Sequence, residues 1–190
     1  LLYDYSKIMF GDTESFVYVT KRYTHPNYVL ELGDKALLIY QSRTHCTFLV
    51  GGSEKDLYTT NGSESFSWLH NNTTKELVIV PTSSFHRLGE ECDSYLDDPN
   101  VLKVIGVNTA RCGSTLMCQI FSKLPNTLVL SEPLALFWPA NMANSGIIAS
   151  TDEVRALMRS TLRLLMKRIP GRAVDRIFIK PPAVSNNGIV

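Results

Sequence analysis

The stretch from Val101 to Leu130 constrains this chain more than any other. Val101-Leu102-Lys103-Val104-Ile105-Gly106-Val107 is a mostly apolar run, the pattern of a parallel strand buried on both faces. A polar loop at residues 108–113 follows. Leu116, Met117, Ile120, Phe121 and Leu124 then recur at helical spacing and are expected on one buried face. Pro125-Asn126 ends that helix, and residues 127–130 form a second short apolar strand. Strand, loop, helix and strand make one βαβ unit. The loop therefore opens a helix at the carboxyl end of a buried strand, where open α/β sheets bind ligands.

The chain beyond it continues in the same style. A longer helix is expected over residues 152–169, with Thr151 as N-cap and Asp152 and Glu153 at the positive end of the dipole. Val154, Leu157, Met158, Leu165 and Ile169 make its apolar stripe. Lys167 and Arg168 close it, and Pro170-Gly171 stops it. Arg155, Arg159, Arg163 and Lys167 recur every four residues as a basic ridge, which reads first as a solvated face and second as a binding surface. Residues 176–180, Arg-Ile-Phe-Ile-Lys, read as a third strand.

The first half has a different texture. Short runs rich in Val, Tyr, Phe, Leu and Thr occur at residues 16–20, 28–32, 35–40, 46–50, 65–69 and 76–80. Gly33-Asp34, Gly51-Gly52-Ser53, Asn61-Gly62-Ser63 and Asn71-Asn72 separate them as turns. That spacing predicts an antiparallel meander or sandwich without useful helical periodicity. Residues 89–99 carry Glu90, Glu91, Asp93, Asp97 and Asp98 and are expected to be an acidic linker. The expected organisation is a β-rich module over residues 1–98 and an α/β domain over residues 99–190. The start at Leu1 and the stop after Val190 read as an incomplete protein, short at its C-terminus.

Charge agrees with two parts. Residues 1–98 hold 8 basic and 14 acidic side chains, and residues 99–190 hold 11 basic and 4 acidic. The halves, −6 and +7, sum to the net charge of +1. Either the basic half faces an anion or the halves complement one another across an interface. With 44% apolar residues and 19% charged ones, an acidic disordered chain, a basic tail and a fibre are excluded. No run approaches the length of a membrane-spanning helix. Cys46, Cys92, Cys112 and Cys118 form no CxxC pair and no zinc-finger spacing. They fit buried thiols in a reducing compartment, with a Cys46–Cys92 bridge left open. Sequons at Asn61, Asn71 and Asn72 favour a secretory route only weakly.

The chemistry concentrates in Thr109-Ala110-Arg111-Cys112-Gly113-Ser114-Thr115-Leu116. Backbone N–H groups at a helix start lack acceptors, and the dipole favours negative charge there. Gly113 lets the backbone approach an anion, Ser114 and Thr115 add hydroxyl donors, and Arg111 supplies a guanidinium fork. A Walker A loop needs Lys before its hydroxyl residue; here Ser114-Thr115 follow Gly113 directly, and the cation stands earlier, at Arg111. The second strand ends Leu130-Ser131-Glu132 without the Asp that would hold magnesium.

The run Arg111-Cys112-Gly113-Ser114-Thr115-Leu116, followed by Leu130-Ser131-Glu132-Pro133, resembles the 5′-phosphosulfate loop of the sulfotransferases. The resemblance covers roughly residues 100–180 and does not extend to residues 1–98. It implies a P-loop-containing nucleotide-hydrolase-like three-layer α/β domain, and 3′-phosphoadenosine 5′-phosphosulfate as sulfuryl donor. Arg111, Gly113, Ser114 and Thr115 would hold the phosphosulfate, and Cys112 and Leu116 would add backbone N–H groups. Many cytosolic members have Lys where Arg111 stands. The family's 3′-phosphate motif lies downstream of a strand such as 176–180, and this chain ends before it. The implied reaction moves a sulfuryl group to a hydroxyl or amine of a small-molecule, carbohydrate or peptide acceptor, without metal and without nucleic acid. Arg111 would stabilise charge on the leaving phosphate, and Glu132 is the first candidate for general base; its alternative role is a local cap or pair, as with Arg111. His25, His45, His70 and His86 are weaker candidates, His86 first among them. Phe137-Trp138-Pro139 either lines an acceptor pocket or packs as core. Ser131 has no histidine placed for a hydrolase triad. A P-loop kinase and a non-catalytic anion-binding protein remain the alternatives.

Overall fold

The computed structural model describes residues 24–51, 74–107 and 112–182 of the chain. The strands expected at 16–20 and 65–69 lie outside these residues. The protein is a mixed α/β structure, with two three-stranded sheets among the described residues.

The first sheet is antiparallel, in the order β1 (Ala36–Gln41), β2 (His45–Gly51), β3 (Thr74–Pro81). Leu38 pairs with Phe48, and Phe48 with Val78. This is the expected antiparallel meander, with β1 and β2 buried along nearly their whole length and β3 alternating, Val78 and Val80 buried and Ile79 exposed. The strand expected at 28–32 is instead a helical turn, α1 (Tyr28–Glu31). Its sequence, Tyr-Val-Leu-Glu-Leu, does not alternate, and Pro26 presets a turn: the amides of Tyr28 and Val29 reach back to the carbonyls of His25 and Pro26 at 3.0 and 3.1 Å.

The first half also contains a full helix, contrary to expectation. α2 (Thr82–Glu91) follows β3 directly and buries Phe85, Leu88 and Gly89. Only two large apolar residues in ten carry its inner face, too few to register as a period. Consequently the expected acidic linker begins inside a helix, and the rest of it is packed. Tyr95 is 3% exposed, its amide bonds the Met166 carbonyl at 2.9 Å, and its hydroxyl donates to the Arg172 carbonyl at 3.1 Å.

The second sheet is parallel, in the order β4 (Leu102–Ile105), β6 (Arg176–Lys180), β5 (Thr127–Ser131). β6 pairs in register with both neighbours, Ile179 opposite Ile105 on one side and Leu130 on the other. Strand alternation then sorts the side chains. Leu128, Leu130, Ile177 and Ile179 enter the main core. Val129 and Phe178 point to the other face, where α3 (Ser114–Ser122) lies across them. Phe121 of α3 stacks on Phe178 at 4.2 Å between ring centroids.

That stack fixes the roll of α3 and corrects its expected inner face. Cys118 and Phe121 face the sheet, whereas Leu116, Met117, Ile120 and Leu124 are 42–60% exposed. The helix is apolar around most of its girth, so periodicity alone cannot say which stripe turns inward.

After β5 come a short 3-10 turn at Leu134–Leu136, α4 (Phe137–Asn144) and α5 (Thr151–Leu165). The N-cap of α5 is Ser150, whose side chain accepts the Glu153 amide, and the helix ends at Leu165. Residues 166–169 leave it because Lys167 bridges to Ser94. α5 packs on α2, where Gly89 meets Ser160: a Cβ on Gly89 would lie 2.8 Å from the Ser160 Cβ. Buried apolar residues from both halves of the chain, Phe48, Phe85 and Leu88 with Leu136, Leu164 and Ile177 among them, belong to one cluster.

Candidate functional site

Three segments converge at the carboxyl end of the parallel sheet: the start of α3, the end of β5 and the end of β6. Gly113 precedes α3 with φ +82°, a left-handed conformation that Gly adopts without steric cost. Its carbonyl accepts the amides of Leu116 and Met117 at 2.9 and 3.4 Å. The amides of Ser114 and Thr115 come first in the helix and point out of its end. Cys112, Gly113 and Thr115 are exposed, and Ser114 is half-buried. Arg111 lies outside the described residues.

Glu132 is the first residue beyond β5. Its amide bonds the Lys180 carbonyl at 2.7 Å, which extends the ladder by one step. There the chain turns sharply: Glu132 has φ +56°, one of two non-glycine residues in the left-handed region among those described. A non-glycine residue pays of order 1–2 kcal/mol for that conformation. The turn sends the carboxylate back over the sheet end.

Lys180 meets it there. It occupies the last position of β6 and, two residues beyond Phe178, stands on the α3 face of the sheet. The residue is 5% exposed. Its Nζ lies 2.7 Å from Glu132 Oε1 and donates to Thr115 Oγ1 at 3.3 Å. A buried ammonium requires such pairing, because desolvation costs several kcal/mol. Beneath the pair sit Ser131, 4% exposed, and Cys118, fully buried. Burial pushes the Cys118 thiol up, against the opposing effects of the Ser131 hydrogen bond and the Lys180 charge. Cys118 is thus a neutral floor, not a thiolate.

Lys180, which the sequence reading passes over, touches both Glu132 and Thr115 of the loop. A signal for it exists. Arg-Ile-Phe-Ile-Lys is a buried alternating strand, and its parity puts the final cation on the same side as Phe178, facing the loop helix.

The other candidates stand elsewhere. His25 accepts the Asn27 amide, His45 sits among Ser42 and Thr44, and His86 bonds Ser160 Oγ at 3.1 Å on the α2–α5 contact. His70 lies outside the described residues. Trp138 is 8% exposed and donates from Nε1 to the Ile39 carbonyl at 2.8 Å, so it packs against β1 as core. The expected basic ridge, whose last member Lys167 lies beyond the end of α5, is occupied from within. Arg155 pairs with Asp152, Arg159 with Asp97 at 3.1 Å, Arg163 with Asp97 and the Cys92 carbonyl, and Lys167 with the Ala36 carbonyl. Arg168 adds Asp93 and Asp98 at 3.0 and 2.6 Å. The opposed charges of the two halves therefore meet each other. Cys46 and Cys92 are both free and buried, so no bridge joins them, and burial pushes the Cys46 thiol up to about 12. Among the described residues no three His, Cys, Asp or Glu side chains gather as a metal site would need, and no helix is long and apolar enough to cross a membrane.

A scan against protein-family models, a search of curated proteins and a search of solved structures each return no match.

Proposed function

We propose that this chain is a sulfotransferase-like enzyme, built on a P-loop-like three-layer α/β core, that moves a sulfuryl group from 3′-phosphoadenosine 5′-phosphosulfate to a hydroxyl or amine. One observation carries the reading: a buried lysine, paired with a carboxylate, abuts the hydroxyl of an anion-type loop at the start of a helix. The cradle suits an oxyanion. Outward amides of Ser114 and Thr115, two hydroxyls and the helix dipole supply donors and positive potential, and Gly113 permits close approach. Lys180 contributes a full charge in a low-dielectric setting, where it acts strongly.

The donor, when bound, supplies the sulfuryl group and a phosphate leaving group. The protein holds the phosphate with the loop amides, Ser114 and Thr115. Lys180, with Arg111 by resemblance, balances the negative charge that grows there. Glu132, 38% exposed at its side chain, is open to an acceptor and takes the proton from its hydroxyl or amine.

The reading is tested by ligand-induced stabilisation. Adenosine 3′,5′-bisphosphate at a hundred times its Kd is expected to stabilise the protein by about 2.7 kcal/mol, and Mg-ATP much less. Stabilisation by Mg-ATP alone moves the chain to the nucleotide-kinase class. Binding of the bisphosphate without any sulfuryl transfer moves it to the non-catalytic class.

A further inference from the structure

Two groups claim the charge of Lys180, and they serve opposite ends of the proposed reaction. Glu132 faces the acceptor side, and Thr115 belongs to the donor loop. The ammonium has three protons. One goes to Glu132 Oε1 at 2.7 Å and one to Thr115 Oγ1 at 3.3 Å. Thr115, accepting from Lys180, keeps its own hydroxyl proton to give to the loop.

The backbone on both sides of this contact is pinned. Glu132 N bonds the Lys180 carbonyl at 2.7 Å, and Gly106 N bonds the Ile179 carbonyl at 2.8 Å. Cys118 and Ser131 close the floor. The four-carbon stem of Lys180 is flexible, and its ammonium already touches both Glu132 and the loop. A phosphate in the loop carries more negative charge than one carboxylate and competes for the same ammonium. Glu132 differs from Lys180 in having water at hand, so it tolerates losing its partner.

We infer that Lys180 is a shared counter-ion that changes partner: it neutralises Glu132 while the loop is empty, and transfers to the oxyanion when the loop is filled. Filling the loop thereby frees the Glu132 carboxylate to accept a proton, and base chemistry is held back until the donor is present. This rests on the anion-loop reading above.

Side-chain and backbone NMR of the full chain at fixed pH, titrated with adenosine 3′,5′-bisphosphate, tests it. The expected result is that the amides of Ser114 and Thr115 and the carboxyl carbon of Glu132 shift together and saturate at one ligand concentration. In Lys180→Met the loop amides still shift and the Glu132 carbon stays in place. Should Lys180→Met not fold, Lys180→Arg serves, because its wider fork holds carboxylate and phosphate together. The Glu132 response should then be smaller than in the wild type. Loop amides that shift in the wild type beside an unmoved Glu132 carbon overturn the exchange and leave the loop reading standing. Loop amides that never move overturn both.

Discussion

At the scale of single residues, the site is built from two expensive choices: a left-handed glutamate and a buried lysine. Their energetics make separable predictions. Glu132→Ala and Glu132→Gly both strip Lys180 of its partner, and each is expected to lose stability, on the order of 3 kcal/mol. Between them, Gly should be the more stable by about 1 kcal/mol, the reverse of the ordinary order at a regular position. Urea denaturation of the two variants reads the difference directly. Asp98 gives a second residue-level test. The hydrogen bond from Arg168, and after it the Asn100 amide, hold the Asp98 carboxyl below its ordinary range. A depressed folded value means the contribution is present above the unfolded pKa and is lost as pH falls through the folded one. Melting temperature should therefore drop more steeply below about pH 4 in the wild type than in Arg168→Gln. Equal slopes would show that the pair does not couple to folding. The sequence exposed Thr115 because it belongs to a recognisable loop, and Glu132 because it stands at the C-terminal end of a buried strand. It hid Lys180 because a cation closing a strand looks like an edge residue until the register of β6 is known.

Between elements, the contact of α2 with α5 is the tightest joint described. Gly89→Ala places a methyl 2.8 Å from Ser160 Cβ and 2.9 Å from its Cα, so the backbone itself must yield. The variant should lose about 1–3 kcal/mol, despite the better helix propensity of alanine, measured as a lower urea midpoint at unchanged slope. An unchanged midpoint would mean that the helices separate freely. α2 escaped the sequence reading for the same reason that the joint is close: glycine and serine, not large apolar residues, make the contact. The strands at 35–40, 46–50 and 76–80, the βαβ unit and the third strand at 176–180 were legible, since apolar runs between turns announce them. The roll of α3 was not, because several of its faces are apolar and one aromatic stack decides among them.

Over the whole molecule, the charge division of the sequence resolves into internal complementarity. The Asp93–Asp98 segment lies along Arg159, Arg163 and Arg168, mostly at exposed positions where ion pairs contribute little and added salt screens them. Raising ionic strength should change stability by less than about 1 kcal/mol, and a large fall would show a cooperative network. The strand order has a consequence in time. Among the described residues β4 and β5 do not touch; each pairs only with β6, which follows both in sequence. A ribosome that has translated as far as Gly171 carries two orphan parallel strands with nothing between them. The hairpin ladder of β1 to β3 can close earlier, since its partners are neighbours in order of synthesis. The cradle proposed to grip the donor is thus assembled only after β6 has been synthesised, when the arrival of five residues zips two waiting edges and delivers Lys180 to its place in the same event.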